Sequence, residues 1–341
     1  MGLKVTIAHI AKALNTTPAT VSRALNDHSS ISEKTKQRIR ETASRLNYKR
    51  NKIASSLRLG QSGIIGVIIP SAEINFFGSV VHGIESIANK NGFNVLIYQS
   101  NESSESEVKG IETFLSARVD GILVSIAKNT TEFSHFIAAK GSGIPIIFFD
   151  RSNDELGILS VVIDDYRGAF LATEHLIQQG YKKIAHISGP EHLKIFNDRL
   201  RGYRDALEAY KLKPNDQFLY KGNVSIEAGR EAVEQFLTLD NPPDAIFAVE
   251  DFTALGALKA LKEKNINIPD DFGVIGFANE SFGEHITPTL STIDQQTVQM
   301  GKESFKLLMQ LMNKERYPLN NKKVVLEPVP IFRNSSLRRT I

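Results

Sequence analysis

The sequence predicts a small all-α head at the N-terminus and a larger α/β body with parallel sheets. In residues 1–62, apolar side chains recur at helical spacing in three short segments. From residue 63 onward, short continuous apolar runs alternate with helical stretches, which is typical of parallel strands covered by helices on both faces. We therefore expect a helical head at 1–50, a linker at 51–62 and a body at 63–341.

The charge is divided as unevenly as the predicted structure. The chain of 341 residues has a formal net charge of +3. Residues 1–62 carry twelve Lys or Arg against three Asp or Glu, a net charge of +9, which leaves −6 for the rest. A basic head on an acidic body predicts that the head contacts a polyanion. A solvated basic face is the alternative that charge alone leaves open.

Composition and motifs exclude several function classes. The chain has no cysteine, which excludes a disulfide framework, a thiol nucleophile and a thiolate metal site. The sequence shows no membrane-length apolar run and no export segment at its start, so we expect no membrane association and a cytosolic location. Phosphate-binding loops, dinucleotide fingerprints, serine nucleophile elbows and zinc-binding His-Glu-x-x-His patterns are missing. We therefore expect neither an enzyme nor a cofactor or metal site.

The three predicted helices of the head have the arrangement of a helix-turn-helix. The first begins after Thr6 as N-cap. The second begins at Pro18 after Thr17 as N-cap, since proline lacks an N–H that would have no intrahelical partner there. The third opens at Ser32 and Glu33. The apolar face of the first helix consists of Ile7, Ile10, Ala11 and Leu14.

In a helix-turn-helix the second helix lies in the DNA major groove. Its outward side chains are Pro18, Ala19, Ser22 and Arg23. Arg23 can donate two parallel hydrogen bonds to guanine, the commonest base-specific contact. The hydroxyls of Thr17, Thr20 and Ser22 suit phosphate oxygens, which position the helix without reading sequence. A small helical cap with solvated charges is the alternative.

Several runs of the head resemble the lactose-repressor (LacI/GalR) family of transcriptional regulators, and the resemblance continues through the body to residue 336. The runs are Val5-Thr6-Ile7-Ala8-His9-Ile10-Ala11, Ala19-Thr20-Val21-Ser22-Arg23-Ala24-Leu25-Asn26, Ile31-Ser32-Glu33-Lys34-Thr35, Leu46-Asn47-Tyr48 and Ile53-Ala54 with Leu57. In the body, Asp198-Arg199-Leu200-Arg201-Gly202-Tyr203 and Phe332-Arg333-Asn334-Ser335-Ser336 also match.

The resemblance implies a homodimer that binds double-stranded, pseudo-palindromic operator DNA. Residues 51–59 would form a hinge helix that enters the minor groove, where Leu57 would unstack a base step. An ordinary linker leucine is the alternative for Leu57. Where family members usually have a proline before the hinge asparagine, this chain has Arg50. The further DNA contacts that the resemblance implies are Thr6, Asn26, Ser32, Tyr48, Asn51 and Ala54.

For the body, the resemblance implies two periplasmic-binding-protein-like lobes with three crossings of the chain between them. The first lobe would comprise about 63–162 and 292–322, and the second about 163–291 and 323–341. A small-molecule effector, a sugar, sugar acid or sugar phosphate, would bind in the cleft and change operator affinity. A free-standing solute-binding protein without DNA function is the alternative, although it leaves the basic head unexplained.

The candidate effector contacts each follow a predicted strand. Arg199 matches the family's effector-binding arginine, with a structural salt bridge as the alternative. Phe76 and Phe77 match an aromatic wall on which a ring would stack, with core packing as the alternative. The remaining candidates, for which helix capping and other scaffold roles are the alternatives, are Ser125, Arg151, Asp164 and Asp251.

The clearest departure from the family pattern is Ala278. Family members commonly have an acidic effector ligand at this point, so the usual carboxylate contact with sugar hydroxyls is missing. Asn279, one position on, is the candidate replacement.

Overall fold

The computed structural model describes residues 5–48, 61–313 and 323–338. The chain divides between Ser62 and Gly63 into two compact units. Arg50 and the predicted hinge contacts Asn51, Ala54 and Leu57 lie outside the described residues. Within the described ranges, no helix combines the length and apolarity needed to cross a bilayer.

The head forms the three predicted helices, α1 (Ile7–Ala13), α2 (Pro18–Leu25) and α3 (Glu33–Arg45). The Thr17 hydroxyl accepts a hydrogen bond from the Thr20 amide at 3.1 Å, and Ser32 caps α3 in the same way. These side chains satisfy amides that have no partner inside the helix. One buried cluster holds the three helices together: Ile10, Ala11, Val21, Ala24, Ile39 and Ala43.

The body alternates strands and helices along the chain. Its strands are β1 (Ile64–Ile69), β2 (Asn94–Gln99), β3 (Gly121–Val124), β4 (Ile146–Phe149), β5 (Leu159–Ile163), β6 (Ile184–Ser188), β7 (Leu219–Lys221), β8 (Ala245–Ala248), β9 (Gly273–Ile275), β10 (Thr292–Asp294), β11 (Lys323–Leu326) and β12 (Val329–Ile331). Its helices are α4 (Asn75–Ala88), α5 (Ser104–Ala117), α6 (Ser134–Gly141), α7 (Asp165–Gln178), α8 (Lys194–Ala209), α9 (Ile226–Leu237), α10 (Asp251–Glu263) and α11 (Thr297–Met312).

Two parallel sheets define two lobes. The first sheet has the order β11-β5-β4-β3-β1-β2, and the second has the order β7-β6-β8-β9. Helices α4, α5, α6 and α11 pack in the first lobe, and α7 to α10 pack in the second. β10 pairs antiparallel with β12 where the chain passes between the lobes. Strands and helices therefore alternate in both lobes, as the apolar runs of the sequence predict.

The expectation that residues 323–341 belong to the second lobe is wrong for β11. Lys323–Leu326 pairs in parallel with β5, with Lys323 opposite Ser160 and Leu326 opposite Ile163, and so forms the edge of the first sheet. The end of the described chain does return to the second lobe, where the Ser335 hydroxyl donates to the Val274 carbonyl at 2.7 Å. Strand pairing is decided by an open sheet edge, which local sequence does not reveal.

Glycines allow the helices of the first lobe to pack with direct backbone contact. A Cβ atom on Gly301 of α11 would lie 2.0 Å from the Val80 carbonyl oxygen of α4. On the facing helix, a Cβ atom on Gly83 would lie 2.2 Å from the Val298 carbonyl oxygen. No real Cβ contact is this short, so α4 and α11 can approach this closely only because both positions are glycine.

Candidate DNA-binding face and interlobe cleft

The outward face of α2 is where the sequence predicted it. Pro18, Ala19 and Arg23 are exposed, whereas Ser22 is half-buried. Thr17 is exposed, but its hydroxyl is engaged in capping the helix, 2.9 Å from the half-buried Thr20 hydroxyl. These two threonines therefore have a structural role whether or not they also contact phosphate.

The remaining predicted contacts of the head lie at helix ends. Thr6 and Ser32 are the exposed N-caps of α1 and α3. The Asn26 side-chain amide donates to the Ser22 carbonyl at 2.8 Å at the end of α2. Tyr48 is half-buried and packs against the core of the head. The structure places all four on the same small domain as the α2 face.

The acidic residues of the head are engaged in ion pairs or hydrogen bonds, so much of the basic charge is left available. Lys36, which is buried, pairs with Glu33 at 2.6 Å and lies 3.8 Å from Asp27. Asp27 also pairs with Arg40. Within residues 5–48, no ion pair involves Lys12, Arg23, Lys34, Arg38 or Arg45. These five cations are therefore available to contact a polyanion.

A cavity of about 440 Å³ lies between the two lobes, beyond the carboxyl ends of their strands. This is where open parallel sheets bind ligands. Its first-lobe wall includes Phe76 and Phe77 from α4, and Asp150 and Arg151 after β4. The second-lobe wall and the crossing segment contribute Phe196, Arg199, Glu250, Phe252, Ala278, Glu280 and Gln295.

Arg199 lines this cavity but already has a carboxylate partner. Only 3% of its surface is exposed, and its Nε donates to Asp165 Oδ1 at 2.8 Å. A second guanidinium nitrogen donates to the Val249 carbonyl at 2.7 Å, and the group stacks 3.7 Å from the centre of the Phe277 ring. Burial raises the pKa of Asp165 to about 6, against the attraction of the arginine. The salt-bridge alternative therefore holds, and Arg199 combines that role with a place in the cavity wall.

Arg151 is paired in the same manner on the first lobe. One guanidinium nitrogen donates to both carboxylate oxygens of Glu102, at 2.8 and 3.0 Å. Its Nε is buried without a hydrogen-bond partner among the described residues and lies 3.9 Å from Asp150 Oδ2. Burial raises the pKa of Asp150, which also accepts a hydrogen bond from Ser125 at 3.2 Å. Ser125 is itself fully buried and supports Asp150 rather than lining the cavity.

Phe76 and Phe77 serve both the cavity wall and the core. Their rings meet edge to face with centroids 5.0 Å apart, and both side chains are buried in the hydrophobic cluster of the body. The two interpretations made from the sequence, an aromatic wall and core packing, are therefore compatible. A ligand in the cleft would contact an aromatic surface that is already held by the core.

Asp164 and Asp251 have scaffold roles. Asp164 caps α7 by accepting from the Arg167 amide at 2.8 Å, and it lines a neighbouring cavity of about 540 Å³ that shares Asp150 and Arg151 with the first. Asp251 is fully buried and accepts from the Glu280 amide and the Thr292 hydroxyl, both at 2.7 Å. Burial raises the pKa of Asp251 to about 7.

Asn279 does not replace the missing acid at the cavity wall. Its side-chain amide donates to Asp294 at 3.2 Å, and its carbonyl oxygen accepts from Arg333 at 3.1 Å. The residues of this segment that line the cavity are its neighbours Ala278 and Glu280.

Sequence reasoning missed Phe196, Glu250 and Glu280. Glu250 follows strand β8 within two residues, so the rule that ligands meet strand ends could have found it. Glu280 lies two residues after the departure at Ala278. Phe196, in the first turn of α8, has no local signal. Across the described ranges, no group of three His, Asp or Glu side chains is placed to hold a metal ion.

Comparison with known proteins decides the family. The family model of bacterial regulatory proteins, lacI family, matches residues 6–51. The model of periplasmic binding proteins and sugar binding domain of LacI family matches residues 62–331. The chain belongs to the LacI family. The predicted family, the helix-turn-helix head and the periplasmic-binding-protein-like body are thereby confirmed.

Individual relatives extend over nearly the whole LacI-family chain. It is 32% identical over 314 residues to catabolite control protein A of Priestia megaterium, covering 92% of this chain and 94% of the relative. It is 31% identical over 339 residues to the probable HTH-type transcriptional repressor ExuR of Bacillus subtilis, covering 98% and 99%. A crystal structure of the lac repressor dimer bound to operator and the anti-inducer ONPF superposes with a TM-score of 0.88 at 26% identity, covering 98% and 100%.

Proposed function

We propose that this LacI-family protein is a homodimeric repressor whose affinity for operator DNA is set by a small molecule in the interlobe cleft. The observation that carries the proposal is the presence, in one chain, of a basic helix-turn-helix with an exposed α2 face and a body with a cavity between two lobes. The relatives named above as repressors, and the lac repressor dimer on its operator, support the same assignment. Such a regulator acts in the cytosol, on the bacterial nucleoid.

On the DNA side, Arg23 is the residue of α2 that reads sequence. It is exposed and has no ion pair within residues 5–48, so its forked donors are available to guanine. Pro18 and Ala19 beside it offer apolar contacts, which suit thymine methyl groups. The head therefore combines one strong hydrogen-bonding residue with shape and apolar recognition.

On the effector side, the charge of the cleft favours an uncharged sugar over a sugar acid or sugar phosphate. Both arginines of the wall are already engaged by carboxylates, Arg151 by Glu102 and Arg199 by Asp165. The third cation of the wall, Lys128, is outweighed, because the lining has six acidic side chains against three basic ones, so an anionic ligand would bind beside acids such as Glu250. Carboxylates accept hydrogen bonds readily from hydroxyl groups, and aromatic side chains suit the apolar face of a sugar ring.

DNA binding is tested by titrating the full-length protein with a labelled random duplex between 50 and 200 mM salt. We expect affinity to fall steeply, because each neutralised phosphate contributes about −0.9 to the log–log slope. The control is the same titration with a dextran of similar size and no charge. An affinity that is absent at low salt, or that does not change with salt, would favour the solute-binding alternative.

The effector class is tested by a thermal-shift screen with matched sets of ligands. Each set contains a neutral sugar, its uronic acid and its phosphate ester. We expect stabilisation by the neutral member of a set, with loss of the shift when a negative charge is added to the same ring. A charged member that stabilises more than its neutral parent would refute the argument from the cleft's carboxylates without affecting the DNA-binding result.

A further inference from the structure

The N-terminus of α4 lacks a cap from its own segment. The N-cap position is Ile74, whose side chain has no acceptor, and the first turn contains no acidic residue. The amide of Phe76, the second helical residue, belongs to the group that has no partner inside a helix. Both the missing hydrogen bonds and the positive end of the helix dipole favour an acceptor, preferably an anion, at this point.

The acceptor comes from the opposite lobe. The Phe76 amide donates to Glu280 Oε1 at 3.2 Å, a bond between residues 204 positions apart in the chain. Phe76 lies on the first lobe, whereas Glu280 follows β9 of the second. Glu280 is only 3% exposed, so water competes little for this carboxylate. The helix of one lobe is thus capped by a side chain of the other.

The second lobe holds Glu280 firmly in this position. Its amide donates to Asp251 at 2.7 Å, and Asp251 also accepts from the Thr292 hydroxyl. That hydroxyl accepts in turn from the Asn279 amide at 3.1 Å. Ala278 has a φ of +127°, in a region that residues with a side chain rarely adopt, so the turn is strained and is held by its surroundings. A constrained turn presents the carboxylate to α4.

We propose that Glu280 is a positioning residue that ties the two lobes together by capping α4 across the cleft. Other hydrogen bonds among the described residues also join the two sides of the cleft: the exposed His192 donates to the Lys128 carbonyl, and Arg199 donates to Gln295, in the segment after β10, at 3.4 Å. Because the Glu280 contact is buried and charged at the helix terminus, it contributes more to closure than that exposed bond does.

The tie sets how readily the lobes separate without a ligand. Removing one charge-assisted hydrogen bond changes an equilibrium by about tenfold. Loss of the tie should therefore lower the closed-to-open ratio by about that factor. A ligand that binds the closed form would lose affinity in proportion to the closed fraction. This last consequence rests on the proposed effector function, whereas the tie itself does not.

The test measures the distance between the lobes in the full-length protein. The natural chain has no cysteine, so Glu112→Cys on α5 and Glu234→Cys on α9, both exposed, accept spin labels one in each lobe. Double electron–electron resonance then reports the interlobe distance without any ligand. In this background, Glu280→Ala should move the distribution toward longer distances, and Glu280→Gln, which keeps an uncharged acceptor, should move it less.

Two further variants separate the tie from general destabilisation. Glu85→Ala removes an exposed carboxylate from α4, the helix that Glu280 caps, and should leave the interlobe distances unchanged. Ile74→Ser supplies a hydroxyl that caps α4 locally and competes with Glu280 for the Phe76 amide. It should open the lobes while Glu280 is still present. If Glu280→Ala and Ile74→Ser both give the distances of the Glu85→Ala protein, Glu280 does not tie the lobes. A loss of effector affinity with unchanged distances would likewise overturn the tie, while leaving the proposed effector site intact.

Discussion

Replacing Arg199 by methionine tests whether a wall residue of the cleft also stabilises the fold. Arg199→Met keeps most of the apolar volume but removes the guanidinium that donates to Asp165 at 2.8 Å. Asp165 is 6% exposed, so its carboxylate would stay buried without a cationic partner. The variant should therefore lose stability even in the absence of any ligand.

The size of the loss should depend on pH. Breaking a buried ion pair by removing one partner costs about 3–5 kcal/mol when the remaining group stays charged. In the wild type, burial raises the pKa of Asp165 to about 6. The folded protein therefore holds the carboxyl proton more tightly than the unfolded chain, whose Asp has a pKa of about 3.9. The stability that this difference contributes is fully present below pH 3.9 and is lost as pH rises through 6. Without Arg199 this pKa rises further. The loss then continues above pH 6, by up to about 1.4 kcal/mol per pH unit.

The assay is urea unfolding of the wild type and the variant at pH 5 and pH 8. We expect Arg199→Met to cost more at pH 8 than at pH 5, and Asp165→Asn in the same chain to abolish the difference. The control is Arg201→Met, whose side chain is 60% exposed and pairs with Asp198 at 3.1 Å; it should cost less than about 1 kcal/mol at either pH. An equal cost of Arg199→Met at both pH values would refute the reasoning.

Three further predictions concern helix packing, buried titration and DNA reading. The Cβ of Gly301→Ala would lie 2.0 Å from the Val80 carbonyl oxygen, so this variant should lower the free energy of unfolding by about 1–3 kcal/mol. Gly78→Ala has open space around it and should raise the free energy of unfolding by up to about 1 kcal/mol. Equal effects of the two variants in urea unfolding would contradict the close packing of α4 and α11. Burial raises the pKa of Asp251 to about 7, so the stability that the protonated carboxyl contributes is lost as pH rises from about 4 to 7. Asp251→Asn should therefore reduce the change in unfolding free energy with pH over that range. An unchanged pH profile would argue against a protonated Asp251. Arg23→Ala should reduce discrimination between operator and random duplex by about 1–3 kcal/mol in competition anisotropy, and an unchanged ratio would remove Arg23 from base reading.

In the head, local sequence was sufficient to predict where helices begin. Thr17 before Pro18, and Ser32 before Glu33, predict helix starts that the structure confirms. A cap and the helix that it starts are joined by hydrogen bonds over three or four residues, so the information needed is contained in one short segment.

The body was predictable in its elements but less so in their pairing. The apolar runs predict strands such as β1, and the structure confirms them. The sequence predicted that residues 323–326 belong to the second lobe, whereas β11 pairs with β5 of the first lobe. The prediction failed because pairing depends on which sheet edge is open after the chain has crossed between the lobes. The backbone N–H and C=O groups of an edge strand are the same whatever its sequence, so they do not show which strand it will pair with.

The charge division and the local patterns of this chain predicted a DNA-binding head and a two-lobed body, and the resemblance of its motifs to the LacI/GalR family predicted the family. Only the tertiary structure decided that Arg199 is bound to Asp165, that Asn279 is turned away from the cleft, and that Glu280 caps a helix of the other lobe. Helix caps and apolar faces arise from contacts between near neighbours in the chain. The cleft is built from strand ends and turns that are far apart in the chain, so its ion pairs form only when each lobe folds, and the cap of α4 by Glu280 forms only when the two lobes meet.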